Sequence, residues 1–271
     1  MFRRGVILFA VFCLSNSFAQ GWVPAGSRSR AMADASVTFS DVWAYHHNPA
    51  GLALVKKASV GIAYENRFLL RELQTQSAAC ALPLKKGVVS IGFQRFGYSQ
   101  FTTTKSGLGY SLQLSELLSL GVQLNLHHLR LGQGYGNAFK ATGEVGLLAT
   151  IKTGWDVGFS VVNLTRTKLS TYQEDRLTTA IRLGTSYSFS TKLLVCVEGE
   201  KHIEYPMRAK VGLEYLPLKQ IAFRTGLGTQ PFEMNAGFGY SFNTKFSLDL
   251  GSSYTQNLGW SPNFSLSYAF K

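Results

Sequence analysis

Apolar and polar residues alternate with a period of two along most of this chain, from residue 58 to residue 271. Leu120, Val122, Leu124 and Leu126 share one face of such a segment, and Gly121, Gln123, Asn125 and His127 share the other. Met207, Ala209, Val211, Leu213 and Tyr215 alternate in the same way with Arg208, Lys210, Gly212 and Glu214. Phe246, Leu248 and Leu250 alternate with Ser247, Asp249 and Gly251. Successive side chains of a β-strand point to opposite faces, so each segment predicts a strand with one apolar and one polar side. About 14 such segments are legible. They start near Ala58, Glu72, Gly87, Gly107, Leu118, Ala138 and Gly154, and then near Leu177, Lys192, Pro206, Gln220, Glu233, Lys245 and Pro262. The gaps 83–87, 115–119, 152–154, 188–192, 216–219 and 241–245 are compact, whereas 132–140 and 163–176 are longer and more polar. An even strand number with a long-short rhythm of connections predicts an all-β fold, a closed antiparallel barrel in an outer membrane. Apolar faces then point to lipid and polar faces line the interior. Lipid supplies no hydrogen bonds to an open sheet edge, so closure is required.

Aromatic residues gather at the segment ends, among them Tyr64, Tyr98, Tyr110, Trp155, Tyr187, Tyr215, Tyr254 and Trp260, as two interfacial girdles require. Many of the 27 glycines fall inside the segments. Glycine weakens an ordinary strand, but it relieves crowding where another backbone passes close by. After residue 20 no apolar run reaches the ~18 residues of a membrane-spanning helix.

The first residues read as a signal peptide, 1–19. Arg3 and Arg4 form its basic start, an apolar run follows to Leu14, and Ser17-Phe18-Ala19 supplies the small residues of a cleavage site. Export then leaves Cys80 and Cys196, each mid-strand, and these are expected to be free thiols acting as small hydrophobes. The formal charge is +12. Removing Arg3 and Arg4 leaves 12 − 2 = +10. For an exported barrel this balance fits outer-membrane lipid and anionic lipopolysaccharide, and no nucleic-acid partner is expected.

Residues 20–57 do not alternate. They contain Gly26-Ser27-Arg28 and a small-residue run through Met32, then Trp43, then Asn48-Pro49-Ala50-Gly51-Leu52. Asn-Pro starts a turn, and the small residues around it suit a folded-back chain lying against a wall. This stretch resembles the N-terminal hatch of FadL-like outer-membrane barrels, most closely the PorV/PorQ-type proteins of the Bacteroidetes group. Gly26, Arg28, Met32, Trp43, Asn48, Pro49, Ala50, Gly51 and Leu52 carry the match, while Ala33-Asp34 stands where that pattern often has glycine. The resemblance implies a hatch, 20–57, inside a barrel, 58–271. It also implies one of two non-enzymatic roles. One is that of an accessory of type IX protein secretion or outer-membrane assembly, with machinery proteins as partners. The other is that of a FadL-like channel for hydrophobic small molecules.

Chemistry-bearing residues add little to this. Arg182, Glu198, Glu200, Arg208, Lys210, Glu214, Arg224 and Glu233 fall on the polar face of neighbouring strands, where buried charges must pair, so a structural salt-bridge network in the lumen is expected. His127 and His128 point to opposite faces and cannot share a metal, and His46-His47 lacks nearby ligands at zinc spacing. Gly132 to Gly136 lacks the lysine and helix of a phosphate loop. No catalytic residue, metal or cofactor is expected.

Overall fold

In the computed structural model the described residues are 24–132, 136–168, 176–243 and 245–270. The expected signal peptide and its cleavage site lie outside them. Fourteen antiparallel strands close into one barrel. They are β1 (Ser59–Asn66), β2 (Gln74–Pro83), β3 (Val88–Gly97), β4 (Phe101–Gln113), β5 (Leu118–Leu131), β6 (Gly136–Lys152) and β7 (Trp155–Val162). The second half holds β8 (Ala180–Ser190), β9 (Leu193–His202), β10 (Arg208–Leu218), β11 (Ile221–Gly228), β12 (Glu233–Phe242), β13 (Phe246–Thr255) and β14 (Gly259–Ala269). Each strand pairs with its sequence neighbour, and β1 pairs with β14 from Ser59↔Ala269 to Glu65↔Asn263. Closure leaves no sheet edge for water or another chain to satisfy.

The period of two decides which way each side chain faces. On β5, Val122, Leu124 and Leu126 are exposed on the outside, Leu124 at 75%, while Gln123 and Asn125 are buried inside. Tyr110, Trp155, Tyr215 and Tyr268 girdle the short-turn end, and Tyr98, Tyr254 and Trp260 girdle the other. Cys80 and Cys196 are both free; Cys196 faces inward beside Met32, Ala35 and Phe39.

The connections differ from expectation in one respect. The outer links 98–100 and 256–258 are as short as the inner turns, and the expected long connection 132–140 shrinks to 132–135 because β6 already starts at Gly136, so the long-short rhythm rests mainly on 67–73 and 163–179. The strands have absorbed the difference: β4 starts at Phe101, not near Gly107, and β14 starts at Gly259. Thr102 and Thr104 lie above the apolar band, where an outward side chain has no lipid to match and alternation fades. Three bulges, between Thr150 and Lys152, Ser188 and Ser190, and Tyr215 and Leu218, all sit at the short-turn end.

Residues 24–57 occupy the lumen. They form a short helix, α1 (Ser27–Ala31), and two 3-10 turns, Val42–His46 and Pro49–Leu54. Their apolar side chains, with Ala79, Ala81 and Val88 of the wall, make the barrel's apolar core. Wall glycines make room for them. A methyl at Gly121 would overlap the Pro49 backbone, one at Gly146 would overlap Asn48, one at Gly92 the Tyr45 ring, and one at Gly226 the Met32 backbone. Overpacking of this kind costs about 1–3 kcal/mol. Gly146→Leu is therefore expected to unseat the Asn48-Pro49 turn while the barrel stays closed. Amide exchange across 42–54 reads the result, with Gly143→Leu, which meets open space near Thr165, as control. Unchanged protection in Gly146→Leu contradicts this packing account.

Candidate functional site

The site is the seam between the lumenal segment and the inward faces of β8 to β14. Its centre is a dry ion pair. Arg182 Nε donates to Glu198 Oε1 at 2.7 Å, with side-chain exposures of 0% and 1%. Glu198 Oε2 accepts two backbone N–H groups of the segment, from Ser36 at 2.8 Å and Val37 at 2.9 Å. Arg182 donates to His47 O at 2.8 Å and to Asp34 O at 3.0 Å. One wall pair thus holds two turns of the segment. Lys210 joins it, at 3.1 Å from Glu198 and 2.6 Å from Glu200, and His202 Nε2 lies 2.7 Å from Glu200.

Toward the short turns, Arg28 binds Glu214 through two parallel hydrogen bonds of 2.9 and 2.8 Å, lies 3.1 Å from Asp41, and stacks over Phe39. Arg224 bridges Glu214 at 2.5 Å and Asp249 at 2.6 Å. Toward the outer loops, Arg30 pairs with Asp34 and with Glu65 at 2.8 Å, and reaches Glu233 at 3.7 Å. Arg208 closes on Glu233 at 2.6 Å. All eight wall residues that the sequence nominates therefore lie in three linked clusters around the segment. Sequence reasoning misses a fourth cluster on the opposite wall: Lys105 lies 2.5 Å from Glu144, which also accepts from Asn125, and Tyr45 donates to Asn125 at 3.1 Å. Lys105 is hidden because the outer half of β4 does not alternate. Glu65, Asp249 and Arg30 are missed as well. The inward parity of the two carboxylates is readable, but their partners are placed only by the fold.

The nine residues of the hatch resemblance have identifiable tasks. Gly26 holds a φ of +95° and passes against Trp43, which is buried against Gly61 as well. Met32 fills the space left by Gly212 and Gly226. Asn48 Oδ1 caps Ala50 N–H at 3.1 Å, while its Nδ2 donates to Val37 O and Leu147 O at 2.8 and 3.0 Å. Pro49 O accepts from Ser111 Oγ at 2.6 Å. Ala50 and Leu52 are fully buried, and Gly51 lies against the Phe39 carbonyl. Arg28 has the carboxylate partners given above. Ala33 and Asp34 adopt φ of +55° and +60°, the left-handed region where glycine is favoured. That explains why glycine suits this position, and here the Arg30 pair and the two wall donors on Asp34 O, Arg182 and Lys210, hold the turn instead.

Burial pulls the His46 imidazole down to about 3 and that of His47 to about 4. Both are neutral: His46 Nε2 donates to Ala78 O at 3.2 Å and His47 Nε2 to Ala25 O at 2.7 Å, leaving each Nδ1 unpartnered. Burial would raise the Asp34 carboxyl, but Arg30, Lys210 and Arg208 outweigh it and hold it below the usual range. His127 bonds Thr142 inside, while His128 stacks on Phe139. No group of three or more metal-ligating side chains occurs among the described residues.

A hollow of about 10 Å³ beside α1 is lined by Ser27, Arg30, Glu65, Thr75 and Asn263, among others, room for roughly one water. Its orphaned Ser27 Oγ, Thr75 Oγ1 and Asn263 Oδ1 suit a water and not an apolar guest.

The family model described as "Type IX secretion system membrane protein PorP/SprF" matches residues 42–271. The chain belongs to this family. Its match begins at the first 3-10 turn and takes in the whole barrel. Among solved structures the fold is similar to that of CymD, a monoaromatic hydrocarbon channel, with a TM-score of 0.70 at 13% identity over 93% of this chain and 99% of that one. It is similar to the Ralstonia pickettii toluene transporter TbuX, TM-score 0.68 at 13% identity, over 93% and 99%. A Pseudomonas aeruginosa FadL homologue gives 0.68 at 13% over 93% and 100%. No curated protein matches. At such identities the PorP/SprF chain shares with these channels a FadL-like barrel fold. Family and neighbours are secretion-associated or channel proteins.

Proton linkage gives the site a pH signature. Both histidines titrate lower in the seated segment than the ordinary 6.5. The unseated state binds more protons below pH 6.5, so seating weakens as pH falls from about 6.5 toward 4. Amide exchange of 42–54, corrected for intrinsic pH dependence, is expected to accelerate over that window, and His46→Gln/His47→Gln is expected to flatten it. Exchange indifferent to pH contradicts neutral, buried histidines.

Proposed function

We propose that this chain is a PorV/PorQ-like accessory of type IX protein secretion: a non-enzymatic, plugged outer-membrane barrel that serves machinery proteins at its rims. The observation that carries the reading is the Arg182–Glu198 pair, which ties turns 34–37 and 47 of the segment to the wall with every polar atom of the pair engaged. In this reading residues 20–57 act as a hatch, lipid meets the apolar outer face, and lipopolysaccharide phosphates meet Arg71 and Arg130 on the outer side.

The alternative is a FadL-like channel for hydrophobic small molecules. It is supported by the fold shared with monoaromatic hydrocarbon and toluene transporters. An apolar guest needs an apolar path. The inward faces of β8 to β13 instead offer arginine, lysine and carboxylate groups, already paired. The secretion reading is favoured on that ground.

Deleting the gene in its host is expected to remove a subset of proteins from the culture medium, with toluene and fatty-acid uptake unchanged. Mass spectrometry of the secreted fraction beside a radiolabelled uptake assay checks both. An intact secreted fraction with impaired uptake of the hydrophobic probe reverses the assignment.

A further inference from the structure

The short-turn rim carries a ring of lysines. Lys56 and Lys57 precede β1, and Lys85 and Lys86 form the tip of the β2–β3 turn. Lys152, Lys192, Lys219 and Lys245 stand at four further turns of the same rim. Seven are exposed and Lys245 is half-buried. Against these eight lysines the described residues of the turns hold one acid, Glu116, so the rim is strongly electropositive.

These charges are not spent within the molecule. The ion pairs of the described residues run through the lumen and the outer loops and leave the rim lysines out. Of the carboxylates just inside this mouth, Glu214, Asp249 and Asp41 are already held by Arg28 and Arg224, and Asp156 accepts from Thr150 Oγ1 at 2.7 Å. Lys152 has aromatic partners, lying 5.6 Å from the rings of Trp155 and Tyr187.

Beside the ring, two neighbouring turns expose leucines. Leu84 is 51% exposed, Leu114 53% and Leu117 59%. β3 and β4 pair directly, with Val88 opposite Ser111, so these turns adjoin along the rim. Both leucine turns stand past Tyr110 of the girdle, whose hydroxyl donates to Lys86 O at 3.0 Å.

We propose that this rim is a docking surface for an acidic protein on the periplasmic side, with Leu84, Leu114 and Leu117 as an apolar patch on one arc of the rim and the lysines as the charge along the rest of it. The inference deepens the secretion reading and rests on its outer-membrane orientation, in which short turns face the periplasm. Exposed apolar side chains next to polar and charged ones are the makings of a protein interface, and complementary charge steers the encounter. Lysines serving lipid run their stems along the barrel wall toward the headgroups. Lys152 lies against the girdle rings in that way, but Lys85, Lys86, Lys192 and Lys219 stand in the turns themselves, around a mouth that the segment fills.

The test uses the full chain in its own outer membrane, with a photo-crosslinking residue replacing Leu117 and, as control, Leu70 on the outer loop. The expected result is one discrete protein adduct at Leu117 and none of that mass at Leu70. The adduct protein should be acidic, and its purified soluble part should bind the detergent-solubilised barrel about tenfold more weakly at high salt than at low salt. Lys85→Glu/Lys86→Glu/Lys219→Glu should lower the adduct by a similar factor. The wild-type salt titration stands even if that variant fails to fold. Lipid adducts alone, or a protein adduct indifferent to salt and to charge reversal, overturn the proposal. An acidic adduct protein from outside any secretion apparatus upholds the docking surface and removes the secretion reading. Secretion that depends on the chain, with Leu117 labelling lipid alone, does the reverse.

Discussion

A buried charge must be paired, and in this barrel the wall's central pair is completed by backbone from elsewhere in the chain. Glu198 has two carboxylate oxygens. One takes Arg182 and Lys210, the other takes the N–H groups of Ser36 and Val37. Arg182 in turn satisfies the carbonyls of Asp34 and His47. With the segment removed, the carboxylate loses two donors and the guanidinium loses three acceptors, Asp34 O, His47 O and Ser36 Oγ, in a place that water reaches poorly. Each orphaned group of that kind costs about 1–3 kcal/mol. The wall and the segment are therefore one electrostatic unit, and the Arg28 and Arg30 clusters repeat the arrangement toward either mouth.

Space imposes the second constraint. A lumen of this size cannot hold a folded segment against ordinary side chains. Inward glycines at 121 and 226 let the segment's backbone approach the wall, those at 92 and 146 admit the Tyr45 ring and the Asn48 side chain, and polar atoms brought together there are then bonded: Asn48 to Val37 and Leu147, Ser111 to Pro49. A soluble sheet would treat such glycines as weak points. Here they are the mould for the segment, and the apolar core forms against it and not between sheets.

Much of this is legible along the chain because lipid demands one rule of every strand. Strand count, facing and the eight charged wall residues follow from parity alone. The outer half of β4 escapes because Thr102 and Thr104 stand clear of the apolar band, and Lys105 escapes with it. Glu65 and Asp249 are legible as inward groups but not as partners. Their partners, Arg30 and Arg224, come from the segment and from β11, across the intervening β12, and no spacing in the sequence encodes that distance. The left-handed turn at Ala33-Asp34 is visible in the sequence only as a departure from glycine. Its cause, the Asp34 carbonyl turned toward Arg182 and Lys210, belongs to the tertiary structure.

The central claim is that the segment is fixed in the lumen by its bonds to the Arg182–Glu198 pair. Single-channel recording in planar bilayers tests it most directly. The wild-type barrel should be electrically silent, and Arg182→Met, which removes the guanidinium's bonds to Asp34 O, His47 O and Glu198, should conduct ions in discrete steps. A steady wild-type conductance, or a silent Arg182→Met barrel, contradicts the account.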